Sequence, residues 1–299
     1  MRFPQLEEFL RDNRSFNVSG SAAKRTKAAL KYLKAALFNR SEFLRNRASV
    51  LSVCMLAARV VEANLHRGSE SEFGQFLDEF FARLTVEVEK GASSKDVDLL
   101  RYQEAISYGS TSGESVRARL AVLINQLATS VPKFSPLLTG DRVAQAGIHE
   151  RVKVLADEVA EHIYAHNERA AAATGDDVFK MTNKSARALK GIAKSCIDEN
   201  TFGQCIDHMY YLIYEATGDC KRLPTPPPGY AMDVKFLRNQ IRHDSDHGDA
   251  PSAAKKRRRG AEVLRRYVGK ASLGECARAE LITGQVRLLE ECVAMLRNL

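Results

Sequence analysis

A chain of 299 residues that is 44% hydrophobic is long enough for two domains of ordinary size and can fill their cores, which excludes disorder throughout. It has 8 prolines, 18 glycines, no tryptophan and little Val/Ile/Thr alternation, while Ala, Leu, Arg, Lys and Glu recur at helical spacing; an all-α protein is expected. The formal net charge is +8, and residues 221–270 carry all of it, with 13 Lys/Arg against 5 Asp/Glu. So concentrated a positive field points to a polyanionic partner, nucleic acid first.

The N-terminal MRFPQLEEFLRDN lacks the apolar segment of a secretion signal, and the most hydrophobic run, VLSVCMLAARVV, is interrupted by Arg59 and too short to span a bilayer. A soluble, cytoplasmic protein with no membrane partner is therefore expected. Residues 21–39 set Ala, Leu and Tyr on one helical stripe opposite lysines, and 41–66 is apolar over most of its circumference, as a central core helix would be. Phe73, Phe76, Leu77, Phe80, Phe81 and Leu84 form a further core stripe, followed by helices near 94–108 and 114–129.

Two prolines and a glycine in TSVPKFSPLLTGD, residues 129–141, break the helical pattern and mark the clearest boundary. The organisation expected is an N-terminal helical domain over 1–135, a connecting long helix over 136–180 with Val152, Leu155, Val159 and Ile163 on its apolar side, and a helical bundle over 181–299. Within the last part, helices are expected near 183–198, 201–217, 231–243, 253–269 and 272–298, with the stiff GDCKRLPTPPPGY between the second and third. The six cysteines contain no C-x-x-C pair and no regular spacing, so they read as buried thiols rather than a disulfide framework or a zinc knuckle. His149, His162 and His166 fall on or beside the long middle helix, as surface or core-edge residues.

The stretch KFLRNQIRHDSDHG, 235–248, crowds two arginines, two histidines and two aspartates together. At about 100° per residue, with Arg238 as origin, Arg242, Asn239 and His243 fall on one side, and Val234, Leu237 and Ile241 on the other. Asn239 and His243, four apart, are neighbours on the polar side. Phe236 also falls there, as a candidate interface residue.

The hexapeptide RNQIRH, 238–243, resembles the defining motif of the HEPN superfamily, small helical bundles in which Arg, a polar residue and a later His lie on a late helix. The resemblance covers about residues 180–299, including the preceding helix pair and the basic segment that follows; the first 180 residues resemble no family. It implies a metal-independent endoribonuclease needing no cofactor. His243 would be the general acid or base, Arg238 would stabilise charge on the scissile phosphate, and Asn239 would orient the histidine or the phosphate. One motif supplies one histidine, so the resemblance also implies a homodimer through the C-terminal bundle. Toxin or antiviral-defence roles are common in such domains, and an antitoxin or regulatory protein is a possible partner. Arg242, Lys255, Lys256, Arg257, Arg258 and Arg259 would hold the RNA backbone.

Two alternatives stay open. In a non-catalytic RNA-binding or partner-binding module, Arg238 would pair with Asp233 or Asp207 and His243 would serve the fold. In a metal-dependent phosphohydrolase, His243 and His247 at i,i+4 would bind zinc with Asp244, Asp246 or Asp249, and His208 upstream; no Asp follows residue 249, and no metal is assigned. Phosphate-cradling glycine loops and the G-x-S-x-G elbow are absent, which excludes the nucleotide-hydrolysing, dinucleotide-binding and serine-hydrolase classes that depend on them.

Overall fold

The computed structural model describes residues 17–38, 46–94, 96–107, 112–242 and 250–299 and isolated positions at 8, 11, 14, 15 and 44, with the side chains at 92, 250–253 and 256 excepted. The protein is all-α, and no strand occurs among the described residues. No described helix is long and apolar enough to cross a membrane. The chain divides into two compact units, Met1–Ala144 and Gln145–Leu299.

The first unit contains α1 (Ser21–Ala36), α2 (Arg47–Glu62), α3 (Glu70–Lys90), α4 (Val97–Ser107) and α5 (Gly113–Ser130). The six-residue stripe of α3, Phe73 to Leu84, is buried throughout. The proline-containing segment is ordered rather than irregular: Pro132–Leu138 forms a 3₁₀ run that buries Phe134, Leu137 and Leu138. The expectation that α2 is the central helix is corrected. Its Val53, Leu56, Ala57 and Val60 are fully buried, but Val50 and Leu51 are 39% and 41% exposed.

The enclosed helix is α5, buried at every position from Arg119 to Thr129 and packed against α2, α3, α4 and the 3₁₀ run. Its polar residues disguise this. Arg119 is fully buried, and its guanidinium donates to Ser52 Oγ at 2.9 Å and to the Ala105 carbonyl at 2.5 Å. Those bonds offset a desolvation cost that an unpaired cation could not meet, and burial lowers the pKa of the group. Gln126 likewise accepts from Arg83 and donates to Asp98.

The second unit is built from α6 (Arg142–Thr174, almost all of it in this unit), α7 (Asn183–Ile192), α8 (Glu199–Tyr210), α9 (Gly229–Arg242), α10 (Ala250–Val268) and α11 (Arg278–Arg297). Here α11 is enclosed, buried at every position from Glu280 to Leu289 and packed against α8, α9 and α10. Its polar side chains serve the ends of its neighbours. Gln285 accepts from the Cys196 amide at 2.8 Å and donates to the carbonyls of Ile192 (2.9 Å) and Lys194 (2.8 Å). Arg287 donates to the Tyr267 carbonyl in the last turn of α10, where a cation also meets the negative end of the helix dipole. Burial pulls that guanidinium down to about 10.

The helix expected over 183–198 ends early, at Ile192, and the next starts at Glu199. Chain leaving α7 gives its carbonyls to Gln285, and Asp198 then caps α8 by accepting from the Thr201 amide at 2.8 Å while Thr201 returns the bond. The helix expected from 272 begins at Arg278, after a short 3₁₀ turn over Leu273–Glu275, with Glu280 accepting from the Ala277 amide at 2.8 Å.

Three glycines mark where helices touch most closely. A Cβ on Gly191 would lie 2.1 Å from the His208 ring, one on Gly260 2.4 Å from Gln240 Oε1, and one on Gly284 2.5 Å from Val268 Cγ1. Gly284→Ala is expected to cost about 1–3 kcal/mol through overpacking. Gly113→Ala, whose Cβ meets nothing nearer than 3.7 Å, should stay within about 0.5 kcal/mol. Urea unfolding of the two variants checks this.

Three histidines of this unit are held neutral. Burial, then Arg278 and Lys153, lower His149; burial, then Arg297, lower His162; burial lowers His208 against the pull of Asp207. A depressed folded pKa means the stabilising contribution is present above the unfolded value and lost as pH falls through the folded one. Thermal unfolding should therefore shift to lower temperature as pH drops below about 6.5, and less so in His162→Gln. A midpoint that is flat or rising over that interval would contradict the assignment.

Candidate functional site

Helix α9 follows three consecutive prolines at 226–228, and the Pro228 carbonyl accepts from the Ala231 amide at 3.0 Å. Tyr230, Ala231, Val234 and Leu237 are buried on one face, while Asn239 and Arg242 are exposed and Arg238 is half-buried. The helical register thus places Arg238, Asn239 and Arg242 in its last turn and a half. His243 lies outside the described residues, as do Asp244, Asp246, His247 and Asp249.

Opposite this face runs α8, continued by a π-helical turn over Tyr211–Glu215, in which the Ala216 amide donates to the Tyr211 carbonyl at 2.8 Å. Three cross-helix contacts pair the two elements in antiparallel order. Arg242 grips Asp207 through Nη2 at 2.7 Å and Nε at 2.9 Å. The Arg238 guanidinium lies 4.9 Å from the centroid of Tyr210. The Lys235 ammonium lies 4.5 Å from the centroid of Tyr214 and donates to its hydroxyl at 2.8 Å. Tyr210 and Tyr214 themselves stack, with centroids 5.0 Å apart and planes 16° from parallel. The hydroxyl of Tyr214 raises the pKa of Lys235, so this cation stays charged at neutral pH.

The acidic residues first considered as partners for Arg238 are engaged by other arginines. Asp207 holds Arg242, and Asp233 is held by Arg266 Nη1 at 2.5 Å and Arg259 Nη2 at 3.6 Å. Asp233 is buried, and burial raises its pKa against the pull of both guanidiniums. Arg266 also reaches Glu291, which accepts from the Tyr267 hydroxyl at 2.7 Å, so α9, α10 and α11 are tied at one point.

Lys255, Arg257, Arg258 and Arg259 are exposed near the start of α10, and the side chain of Lys256 lies outside the described residues. Consecutive residues step about 100° around a helix, so Arg257, Arg258 and Arg259 do not share one surface. Arg258 pairs with Glu262 at 3.0 Å, and Arg259 lies over the Phe236 ring, 5.5 Å from its centroid. That contact half-covers Phe236, the residue considered for an interface.

The other sequence candidates have local partners. His149 Nδ1 meets Ser195 Oγ at 2.6 Å while Arg278 donates to Nε2 at 3.1 Å; the ring proton therefore sits on Nδ1 and is donated to the serine, which leaves that hydroxyl unactivated. His166 Nε2 bonds the Leu296 carbonyl at 2.6 Å. The ring of His208 packs against Gly191, and no cluster of three or more potential metal ligands occurs among the described residues. Sequence reasoning missed Tyr210, Tyr214 and Lys235, although the spacing of tyrosines in YYLIYE, 210–215, was a visible signal. Compared with known proteins, the chain matches no family model, no curated protein and no solved structure.

The stacked pair is expected to steady the guanidinium. A double-mutant cycle of Tyr210→Leu with Arg238→Met should show a coupling of about 0.5–1 kcal/mol in unfolding free energy, retained when Tyr210 is replaced by Phe. Strict additivity would contradict the contact.

Proposed function

We propose that the second unit cleaves RNA as a metal-independent endoribonuclease of the HEPN kind, in a toxin or antiviral-defence setting. One observation carries the proposal: Arg238 and Asn239 are consecutive near the end of α9, the arginine is braced on a tyrosine stack, and a histidine follows four residues after the asparagine. A guanidinium supplies fixed positive charge where a phosphorane builds negative charge, and a carboxamide can donate to a phosphate oxygen or orient an imidazole.

In the proposed reaction the ribose 2′-oxygen loses its proton to a base and attacks the adjacent phosphorus. The new O2′–P bond forms as the P–O5′ bond breaks, and a general acid protonates the departing 5′-oxygen. The products are a 2′,3′-cyclic phosphate and a 5′-hydroxyl end. His243 takes one of the two proton-transfer roles, and the His243 of a second copy takes the other, which is why a homodimer is part of the proposal. The exposed cations of α10 and Arg242 would hold the flanking backbone.

Purified protein incubated with RNA should cut it equally well with and without a chelator. Cutting should disappear in His243→Ala, and Arg238→Ala should lower it by at least about 100-fold, with helical content unchanged in both. Metal-dependent turnover would move the site to a phosphohydrolase, and RNA bound but left intact would assign it to a non-catalytic module.

A further inference from the structure

A cleft of about 470 Å³ opens at the end of the motif helix, within the range of small-ligand sites. Its apolar lining comes from Ile241, Leu264 and Leu273, and its polar lining from Glu199 and Asn200 at the start of α8 and Gln240 of α9. Arg242 stands at the same wall, already paired with Asp207. The cleft is thus bounded by the last residues of the helix that carries Arg238 and Asn239.

The charge of the lining decides which part of a nucleotide enters. Glu199, in the first turn of α8, forms no hydrogen bond or ion pair among the described residues. Gly274 lies beside that carboxylate, where a Cβ would sit in ordinary contact, 3.6 Å from Oε1. An unpaired carboxylate repels phosphate and accepts N–H donors. Guanine presents two adjacent, parallel donors, N1–H and the N2 amine, to a bidentate acceptor, and its O6 can accept from a carboxamide such as Asn200 or Gln240. Adenine and cytosine offer an amine flanked by an acceptor that a carboxylate opposes, and uracil offers one imide N–H between two carbonyls.

We propose that this cleft takes one unpaired guanine base, with its Watson–Crick edge on Glu199. The proposal rests on the RNA-cleaving role for the identity of the polymer, but the cleft can be tested without cleavage. Calorimetric titration of the full chain should show guanosine 5′-monophosphate binding at least about ten-fold more tightly than inosine 5′-monophosphate, which lacks the N2 amine, and more tightly than the adenine, cytosine and uracil nucleotides. Glu199→Gln, which keeps size but replaces an acceptor oxygen with a donor, should abolish the preference without altering the unfolding midpoint by more than a few degrees. Equal binding of the five nucleotides, no binding of any, or an unchanged preference in Glu199→Gln would overturn the assignment. Mapping cuts on a mixed-sequence RNA separates the two proposals. Cutting indifferent to guanine overturns the cleft assignment and leaves the nuclease intact; guanine binding without cutting supports the cleft and removes the nuclease.

Discussion

The geometry of the second unit depends on the carboxamide of Gln285. It lies on a helix enclosed by its neighbours, and its three hydrogen bonds all go to backbone between Ile192 and Cys196. Without it, one amide and two carbonyls would lose partners within the protein, a cost of about 1–3 kcal/mol for each group left buried. Gln285 therefore decides where α7 stops and where α8 can start. Everything opposite the motif helix inherits that decision: Asp207, Tyr210 and Tyr214 take their places along α8 and its π turn, and Glu199 opens it.

The motif helix is then held from two sides. Toward α8 it forms the sequence of contacts from Arg242 to Lys235, each modest because each is partly exposed. Toward α10 and α11 it presents the buried Asp233 to two arginines. The second attachment also fixes the basic helix. Arg258 and Arg259 spend part of their charge on Glu262 and Asp233, so the run 255–259 contributes less free positive potential than its composition implies.

Much of the fold was legible in the sequence because amphipathic surface helices announce themselves. The apolar stripe of α3 and the division of α9 into a buried face and an exposed face follow directly from residue spacing. Polarity inside was less legible. The helices holding Arg119, Asn125 and Gln126, and Glu280, Gln285 and Arg287, bury these polar groups, and most of them are hydrogen-bonded to main chain or to other polar side chains. Such partners are far apart along the chain, so no local window reveals them. For the same reason the candidate site was legible only in part. Arg238 and Asn239 form a local pattern, whereas the tyrosine stack is made by a π turn and a second helix, and the cleft needs four separate segments.

The close contacts at Gly191, Gly260 and Gly284 have a mechanical consequence. Where one helix carries no side chain and its neighbour's side chain fills the gap, sliding by even a fraction of a turn drives that side chain into main chain. The pairs α7–α8, α9–α10 and α10–α11 are therefore locked against shear. A molecule seated at the end of α9 meets a wall that does not yield, and its binding energy is not drained into rearranging the scaffold.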